Sequence, residues 1–468
     1  MRPARVSLVA FLAGACARVA APAAAPPPPP PSPPPSPPSD VLAAYREPAA
    51  RIVAAALADD GAYRKLAHLT DHIGARLAGS PALERAVAWA VDALRADGHE
   101  NVRAEPAMVP VWVRGAESAA IVRPVDRPIA ILALGGASAT PPEGVEAPVA
   151  VVADWAAFDA LGDGARGKIV LFNWKMPPYG PKGSGYGDGS KYRTDGPQKA
   201  AARGAVAALV RSVTAKSLGS PHTGATKLDQ PFPAAAVSVE DAELLARLAA
   251  EGEVRVRLKL GCRTLPDAPS ANVVGEIVGR EHPEEIVVIG GHLDSWDVGQ
   301  GAHDDGAGVV TMMQTLTVLR KLGLRPRRTI RAVLYTNEEN GQKGADAYAA
   351  AHAQERHVVA LEADSGGFRP LGLGLKGGDE RLAGKLRAAA ELLAPVGPIK
   401  VGSGFGGTDI KPLGDKGVPL VGLEVEGSKY FDYHHSAADT LDKVDPKELA
   451  MGVAVVAVFA YVVADAPP

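Results

Sequence analysis

Histidine and carboxylate side chains follow three apolar runs in the second half of the chain, at the point where each run ends. The runs cover 286–289, 333–335 and 359–361 and have the length and composition of buried strands. The polar residues that follow them, or that precede the next helix, are His292, Asp294, Asp304, Glu338, Glu339 and Asp364. Because sites in open α/β sheets form at the carboxyl ends of strands, we expect these side chains to converge on one cleft.

Imidazole nitrogen and carboxylate oxygen are ligands that zinc takes in proteins. Several carboxylates crowded together would raise one another's pKa values without a cation. Two cations relieve that repulsion, and a shared carboxylate can bridge them at the ~3.5–4 Å typical of two-metal hydrolases. Taken alone, Asp304 would suit a helix N-cap, Glu338 a solvated surface charge and Asp364 a turn. Their joint placement after successive strands favours a hydrolytic metal site.

Four segments resemble the di-zinc family of aminopeptidases and glutamate carboxypeptidases. They read GGHLDSWDVGQGAHDDGAG at 290–308, NEENG at 337–341, EADSG at 362–366 and HHSAADT at 434–440. The likeness runs from about residue 45 to 464. Three further stretches support it and are expected to lie outside the site: 192–194, 211–213 and 220–224.

The resemblance implies a role for each polar residue. Two zinc ions per chain would be held by His292 and Asp364 on one side and by Glu339 and His435 on the other, with Asp304 as the bridge. Glu338 would be the general base that takes a proton from a metal-bridging water. Asp294 would orient and polarise His292, the usual arrangement behind a ligating imidazole.

Two adjacent histidines compete for the last ligand position. The family pattern puts the ligand directly before Ser or Thr and four residues ahead of Asp, which selects His435 and leaves His434 to face the substrate. His303 stands where the family's nearest branch would have Met. Its side chain could perturb the site beside Asp304, but we expect it to face solvent.

The Gly-rich segment 402–409, GSGFGGTD, has two interpretations. It could form a substrate-side loop in which Gly407 and Thr408 make the contacts. It could equally be a surface turn rich in glycine.

Strand and helix alternate along the last third of the chain, which predicts an α/β fold with a mixed, largely parallel sheet flanked by helices. This is the zinc exopeptidase-like fold that the resemblance implies. Residues 41–114 and 263–468 would form the two parts of the catalytic domain. Residues 115–262 would form an inserted domain that resembles a protease-associated domain and caps the cleft. Within it, 177–197 is rich in Gly, Lys and Tyr and is interpreted as a long surface loop.

Residues 1–16 are typical of an export signal, because Arg2 and Arg5 precede an apolar run at 6–15 that is too short to span a bilayer. Two cleavage sites compete. An ordinary signal peptidase could cut at the small residues of 15–17, or Cys16 could carry a lipid after a bacterial lipobox, which we favour. We therefore expect an exported protein in the periplasm, on the outer membrane as a lipoprotein, or secreted. The lipid would be its only membrane contact.

Residues 17–40 would form a stiff polyproline II tether, because 22–38 are mostly proline with Ser and Ala, or a disordered tail of the same composition. The other cysteine, Cys262, is expected to be a small buried residue. The formal net charge of −3 and an aromatic content of 5% argue against a nucleic-acid-binding protein.

The sequence thus predicts a zinc-dependent exopeptidase that hydrolyses dipeptides or short peptides, and the resemblance implies a homodimer. Two other functions remain open at this stage. One is a glutaminyl cyclase-like enzyme with a single zinc, and the other is a non-catalytic binding protein on the same scaffold. The residue preference at the cleaved bond and the peptide terminus that is recognised do not follow from the sequence.

Overall fold

The computed structural model describes residues 39–180 and 183–467. The predicted export signal, Cys16 and most of the proline-rich segment lie outside the described residues. The helices within them are α1 Ser39–Ala58, α2 Gly61–His68, α3 Pro81–Ala96, α4 Trp155–Leu161, α5 Tyr186–Thr194, α6 Gly196–Ala202, α7 Val239–Glu251, α8 Ala307–Lys321, α9 Lys343–Ala351, α10 Glu380–Leu392, α11 Lys411–Gly414, α12 Tyr430–Tyr433 and α13 Pro446–Asp465. The strands are β1 Glu100–Val113, β2 Glu117–Arg123, β3 Arg127–Ile129, β4 Ile131–Ala133, β5 Val145–Val152, β6 Ile169–Phe172, β7 Ala207–Arg211, β8 Ala234–Val237, β9 Arg255–Leu260, β10 Arg263–Ile277, β11 His282–His292, β12 Arg328–Tyr335, β13 Arg356–Glu362, β14 Pro370–Lys376, β15 Lys400–Ser403 and β16 Leu420–Val425.

The main sheet has the strand order β1-β10-β12-β11-β13-β16-β14-β15. Its central strands β12, β11, β13 and β16 run parallel. On one side, β10 pairs antiparallel with both β1 and β12. On the other side, β14 pairs antiparallel with β16 and parallel with β15. His292 lies opposite Tyr335, and Gly290 lies opposite Glu362, so the carboxyl ends of β11, β12 and β13 meet at one edge. The predicted mixed, largely parallel α/β sheet is confirmed.

Helices α8, α13, α1 and α10 pack together, with α8 and α13 lying against the strands of the main sheet. By length and composition, α13 is the one helix among the described residues that could cross a membrane, but 89% of its most apolar window is buried inside the protein. A helix that is apolar on all sides needs such surroundings, and here the protein core provides them.

A second sheet lies within residues 117–260 and has the order β3-β2-β9-β5-β6-β7-β8-β4. Strands β5 to β8 are parallel neighbours, and apolar side chains on both faces form clusters of their own. Cys262 is buried between β9 and β10, as predicted. The described residues form one compact unit, and the division into separate domains stays a prediction.

The predicted surface loop at 177–197 is wrong for its second half, which forms α5 and the start of α6. Two glycines inside α5 lower its intrinsic helix propensity, which is why the composition indicated a loop. Tertiary contacts override that propensity. Tyr192 stacks on Trp155 with ring centroids 4.4 Å apart, and Arg193 is buried.

Candidate metal centre

The five predicted ligands come together at the carboxyl edge of the main sheet. His292 Nε2 lies 3.2 Å from Asp304 Oδ1 and 3.5 Å from Asp364 Oδ1. His435 Nε2 lies 3.2 Å from Asp304 Oδ2 and 3.0 Å from Glu339 Oε2. Asp304 therefore stands between two groups of ligands and turns one carboxylate oxygen toward each histidine.

Strand ends and helix starts deliver these side chains. His292 ends β11, Asp364 comes two residues after β13, and Asp304 precedes α8. Gly291 allows β11 to approach the segment before α8 closely, because a Cβ at this position would lie 2.4 Å from the carboxylate of Asp305. That carboxylate accepts hydrogen bonds from the backbone N–H of His292 and of Gly308, which ties β11 to α8.

The donor set fits a metal ion. His292 Nε2, Asp304 Oδ2 and Asp364 Oδ1 are buried and have no hydrogen-bond partner among the described residues. Burying polar atoms without partners costs free energy, and bound cations would supply the missing partners.

Electrostatics lead to the same conclusion. Burial, and then the charge of Asp304, raise the pKa of Glu339 well above its ordinary value. Burial also raises the pKa of Asp364, and the negative charge of Asp304 contributes to this increase. Although burial opposes it, the nearby imidazoles of His292 and His435 hold the pKa of Asp304 well below its ordinary value. Carboxylates this crowded are stabilised in their charged form by divalent cations.

Asp294 holds the end of β12 against the end of β11. Its carboxylate accepts the backbone N–H of Glu338 at 3.0 Å and that of Glu339 at 3.3 Å. His292 Nδ1 lies 3.0 Å from the backbone oxygen of Asp294 and 3.8 Å from its carboxylate. The contact that fixes the His292 ring is therefore made by the main chain of Asp294, while its side chain positions the two glutamates.

Asp439 holds Asp304 in place from the other side. Its carboxylate accepts the backbone N–H of His303 at 2.7 Å and that of Asp304 at 3.1 Å. Arg76, fully buried, donates to the backbone oxygens of Leu293 and Gly301 and so fixes the loop between β11 and Asp304.

Of the two adjacent histidines, His435 alone has an ion-pair contact with Glu339 among the described residues. His434 stacks on the ring of His435 at a centroid distance of 3.5 Å, and its Nε2 lies 3.5 Å from Asp304 Oδ2. Both histidines lie near Asp304 and could form a metal-binding group with it, and the selection of His435 over His434 stays a prediction.

The chain is similar to known peptidases over most of its length. Residues 272–460 match Peptidase family M28. The chain is 43% identical to carboxypeptidase Q of Mus musculus over 86% of this chain and 85% of that protein, and 42% identical to the Homo sapiens protein over 87% and 86%. The crystal structure of a Peptidase M28 precursor from Shewanella amazonensis SB2B superposes with a TM-score of 0.88 at 36% identity, covering 91% of this chain and 98% of that one.

The chain belongs to Peptidase family M28. It is accordingly a metallopeptidase, and the family resemblance and the fold class predicted from the sequence are both confirmed. A zinc aminopeptidase from Bacillus subtilis shares the fold at 20% identity, with a TM-score of 0.66.

A cavity of about 630 Å³ opens beside the candidate metal centre of this M28 peptidase. Glu338, Asp364 and His434 face it, and its aromatic wall includes Tyr186 and Phe431, whose rings stack at 4.4 Å. Burial raises the pKa of Glu338 to about 8, and the charge of Asp364 adds to the shift. Cations bound beside this carboxylate would offset the shift, because a nearby positive charge favours the charged form.

The Gly-rich segment lies along this cavity of the M28 peptidase. Thr408 lines the cavity, and its backbone N–H donates to Glu362 at the end of β13. Gly407 lies in a smaller adjoining cavity, and a Cβ there would lie 2.3 Å from the Glu362 carboxyl carbon. The segment is thus anchored to the sheet and faces the space where a substrate would lie.

The prediction that His303 faces solvent is wrong. The side chain is fully buried and stacks on Phe368, with ring centroids 4.2 Å apart. Its Nδ1 accepts the backbone N–H of Gly367 at 3.1 Å. An aromatic slot formed by residues distant in sequence takes up the ring, and no local pattern around position 303 indicates that slot.

Two residues at the centre were missed. The stretches 192–194 and 220–224 were expected to lie outside the site, but Arg193 Nη1 lies 3.4 Å from His435 Nδ1, and the backbone oxygen of Thr223 lies 3.2 Å from it. That expectation is therefore wrong for these two residues of the M28 peptidase. One feature of the sequence could have identified them. Both stretches resemble the family although they carry no metal-ligand pattern.

Proposed function

We propose that this chain is a zinc-dependent exopeptidase that hydrolyses dipeptides or other short peptides with two zinc ions per chain. The observation that carries the proposal is the placement of Asp304, whose two carboxylate oxygens lie 3.2 Å from His292 Nε2 and 3.2 Å from His435 Nε2. A carboxylate that faces two separate imidazoles is suited to bridge two cations.

The ligands of the two ions would be His292 and Asp364 on one side, Glu339 and His435 on the other, and Asp304 between them. When bound, the ions polarise the scissile carbonyl and lower the pKa of a water molecule. The protein contributes a fixed, buried set of donors that needs little reorganisation during the reaction.

Glu338 is the general base in this proposal. It faces the cavity, and its Oε2 lies 4.0 Å from His292 Nε2, which places it beside the ligands without making it one of them. It takes the proton of the attacking water and later delivers it to the departing amine. Asp294 keeps this carboxylate in position through the Glu338 backbone N–H.

The substrate would occupy the cavity between the Gly-rich segment and the aromatic wall. Its volume of about 630 Å³ suits a small molecule such as a dipeptide. Thr408, Gly407 and His434 lie beside that space and would contact the substrate. The carboxypeptidase name of the relatives favours a substrate with a free carboxyl end, a condition that every unblocked dipeptide meets.

Residues 115–262 would act as a protease-associated cap, because Tyr186 and Arg193 from this region line the cavity. The proposal also includes a homodimer. It further includes a lipid at Cys16 that tethers the exported protein. The dimer rests on the family resemblance, and the lipid on sequence outside the described residues. Sedimentation velocity and mass spectrometry of the mature N-terminus test them.

Replacing Glu338 by Gln tests the mechanism. We expect the variant to keep the wild-type zinc content and to lose about 10²–10⁴-fold in kcat on an unblocked dipeptide, because the amide cannot accept the proton. Zinc per chain, measured on the same sample, controls for damage to the centre. A Glu338→Gln variant with normal turnover would refute the role of the base.

Metal stoichiometry tests the class of enzyme. Near two zinc ions per purified wild-type chain supports the peptidase, whereas a single ion supports the glutaminyl cyclase alternative. Chelator-sensitive hydrolysis of unblocked dipeptides, compared with tripeptides and with blocked dipeptides, then identifies the terminus that is read. A protein without hydrolytic activity on any of these would be the binding protein.

A further inference from the structure

His435 is held by the second sheet region as well as by its own loop. Its Nδ1 lies 3.2 Å from the backbone oxygen of Thr223, which follows β7. The backbone N–H of Thr223 in turn donates to the backbone oxygen of His435 at 2.9 Å. Both the ring and the main chain of this proposed ligand therefore depend on one residue that is 212 positions away in the sequence.

Arg193 of α5 fixes that residue. Its guanidinium Nη1 donates to the Thr223 oxygen at 3.1 Å, and its Nη2 donates to the Tyr186 hydroxyl at 2.8 Å. The side chain is 7% exposed. Gly224 makes this placement possible, because a Cβ there would lie 2.2 Å from the guanidinium carbon.

If His435 binds a metal ion through Nε2, its proton must lie at Nδ1, and the contacts around Nδ1 can accept it. A guanidinium has only N–H donors, so it cannot accept a proton from Nδ1. The carbonyl oxygen of Thr223 has two lone pairs and can accept both the Arg193 donor and an Nδ1–H. With the proton at Nδ1, the lone pair at Nε2 points toward Glu339 and Asp304, where a metal ion would lie.

We propose that Arg193 is a positioning residue for the metal ion on the Glu339–His435 side. It holds the Thr223 carbonyl in place and thereby sets the orientation and tautomer of His435. The inference rests on the proposed function, since it requires His435 to be a ligand. In this proposal the region 115–262 both covers the cleft and supports a ligand of the metal site.

Zinc affinity, measured by competition with a chelator, tests the role without using activity. In Arg193→Gln we expect the ion on the Glu339–His435 side to bind about 10–100-fold more weakly, as is typical when the partner of a ligating imidazole is lost. The ion on the His292 side should keep its affinity. Arg193→Lys, which retains one donor, should fall between wild type and Arg193→Gln.

Arg211→Gln is the matched control. Arg211 is a buried arginine of the same region, 8% exposed, and it pairs with Asn173 and Glu243 away from the metal centre. We expect both ions to bind to this variant as in wild type. An equal loss of affinity in Arg211→Gln would overturn the inference, because it would show general loosening of the region.

Wild-type zinc affinity in Arg193→Gln would also overturn it. If the variant then showed a raised KM only for dipeptides with a free carboxyl end, Arg193 would be a substrate-binding residue instead. Should Arg193→Gln fail to fold, Tyr186→Phe removes the hydroxyl that holds Nη2, and unchanged zinc affinity there overturns the proposal. Fewer than two zinc ions in wild type would instead defeat the proposed function itself.

Discussion

The two sides of the candidate metal centre are built in different ways. His292 and Asp364 follow β11 and β13, which are hydrogen-bonded neighbours in the main sheet. His435 comes from the loop after α12 in a left-handed backbone conformation with φ of 59°, and its ring is backed by Thr223 and Arg193. The sheet register positions the first side, whereas contacts between distant segments position the second.

This difference suggests that the two sides respond differently to change. Parallel strands in register hold their carboxyl ends in place as part of the core. A loop residue with positive φ keeps its conformation only where surrounding contacts maintain it. The region around the second sheet can therefore modify the His435 side while leaving the His292 side intact.

Asp304→Asn should have the largest effect, because this residue is shared by both sides. The amide lacks the charge and turns an N–H toward one histidine, so we expect both ions to be lost and activity to fall by more than about 100-fold, the upper range for loss of an outer contact. Zinc per chain after gel filtration measures it. Asp442→Asn, an exposed carboxylate on the neighbouring segment, is the control and should behave as wild type. Retention of both ions in Asp304→Asn would contradict the assignment of Asp304 as the bridging ligand.

His292→Ala and His435→Ala compare the sides directly. Each variant should lose one of two zinc ions and most of its activity, because each removes one ligating nitrogen. The ion that remains in His435→Ala should keep its wild-type affinity, since β11 and β13 still position its ligands. Zinc per chain and chelator competition provide both measurements. A release of both ions from either variant would show that the sides are not independent.

Substitution of His99 should have the smallest effect of the changes considered. We expect it to alter the free energy of unfolding and to leave the metal centre unchanged. Its Nε2 lies 3.2 Å from Thr317 Oγ1, and burial lowers its pKa from 6.5 to about 4. Between these pH values the unfolded chain binds a proton that the folded chain does not. The free energy of unfolding therefore falls as the pH drops from 6.5 to 4, by about 2–3 kcal/mol from this residue, and the contribution is constant above 6.5.

His99→Gln should flatten that part of the pH dependence, because glutamine does not titrate. Urea unfolding of wild type and variant at several pH values measures the difference, which cancels the contributions of all other groups. Zinc content at pH 7 should match wild type. A pH dependence identical to that of wild type would contradict the depressed pKa, and lost zinc would link this residue to the centre.

The pattern of apolar runs followed by polar residues was sufficient to predict the main sheet. Both the burial of a strand and the polar residues at its end depend on residues that are close together in the sequence. His292 and Asp364 could be placed on one edge for this reason. The same approach failed for α5, whose glycines indicate a loop, and for His303, whose aromatic slot is formed by Phe368 and Tyr433. In both cases contacts between distant segments outweigh local propensity.

Residue types and their spacing thus predict the α/β class and the donors available to a metal ion, since these depend on periodicity and on the chemistry of single side chains. The family follows from the resemblance of four segments to known peptidases. The tertiary structure alone shows that Thr223 and Arg193 support His435. Those contacts join positions 212 and 242 residues apart in the sequence, and no local pattern encodes how such distant segments meet.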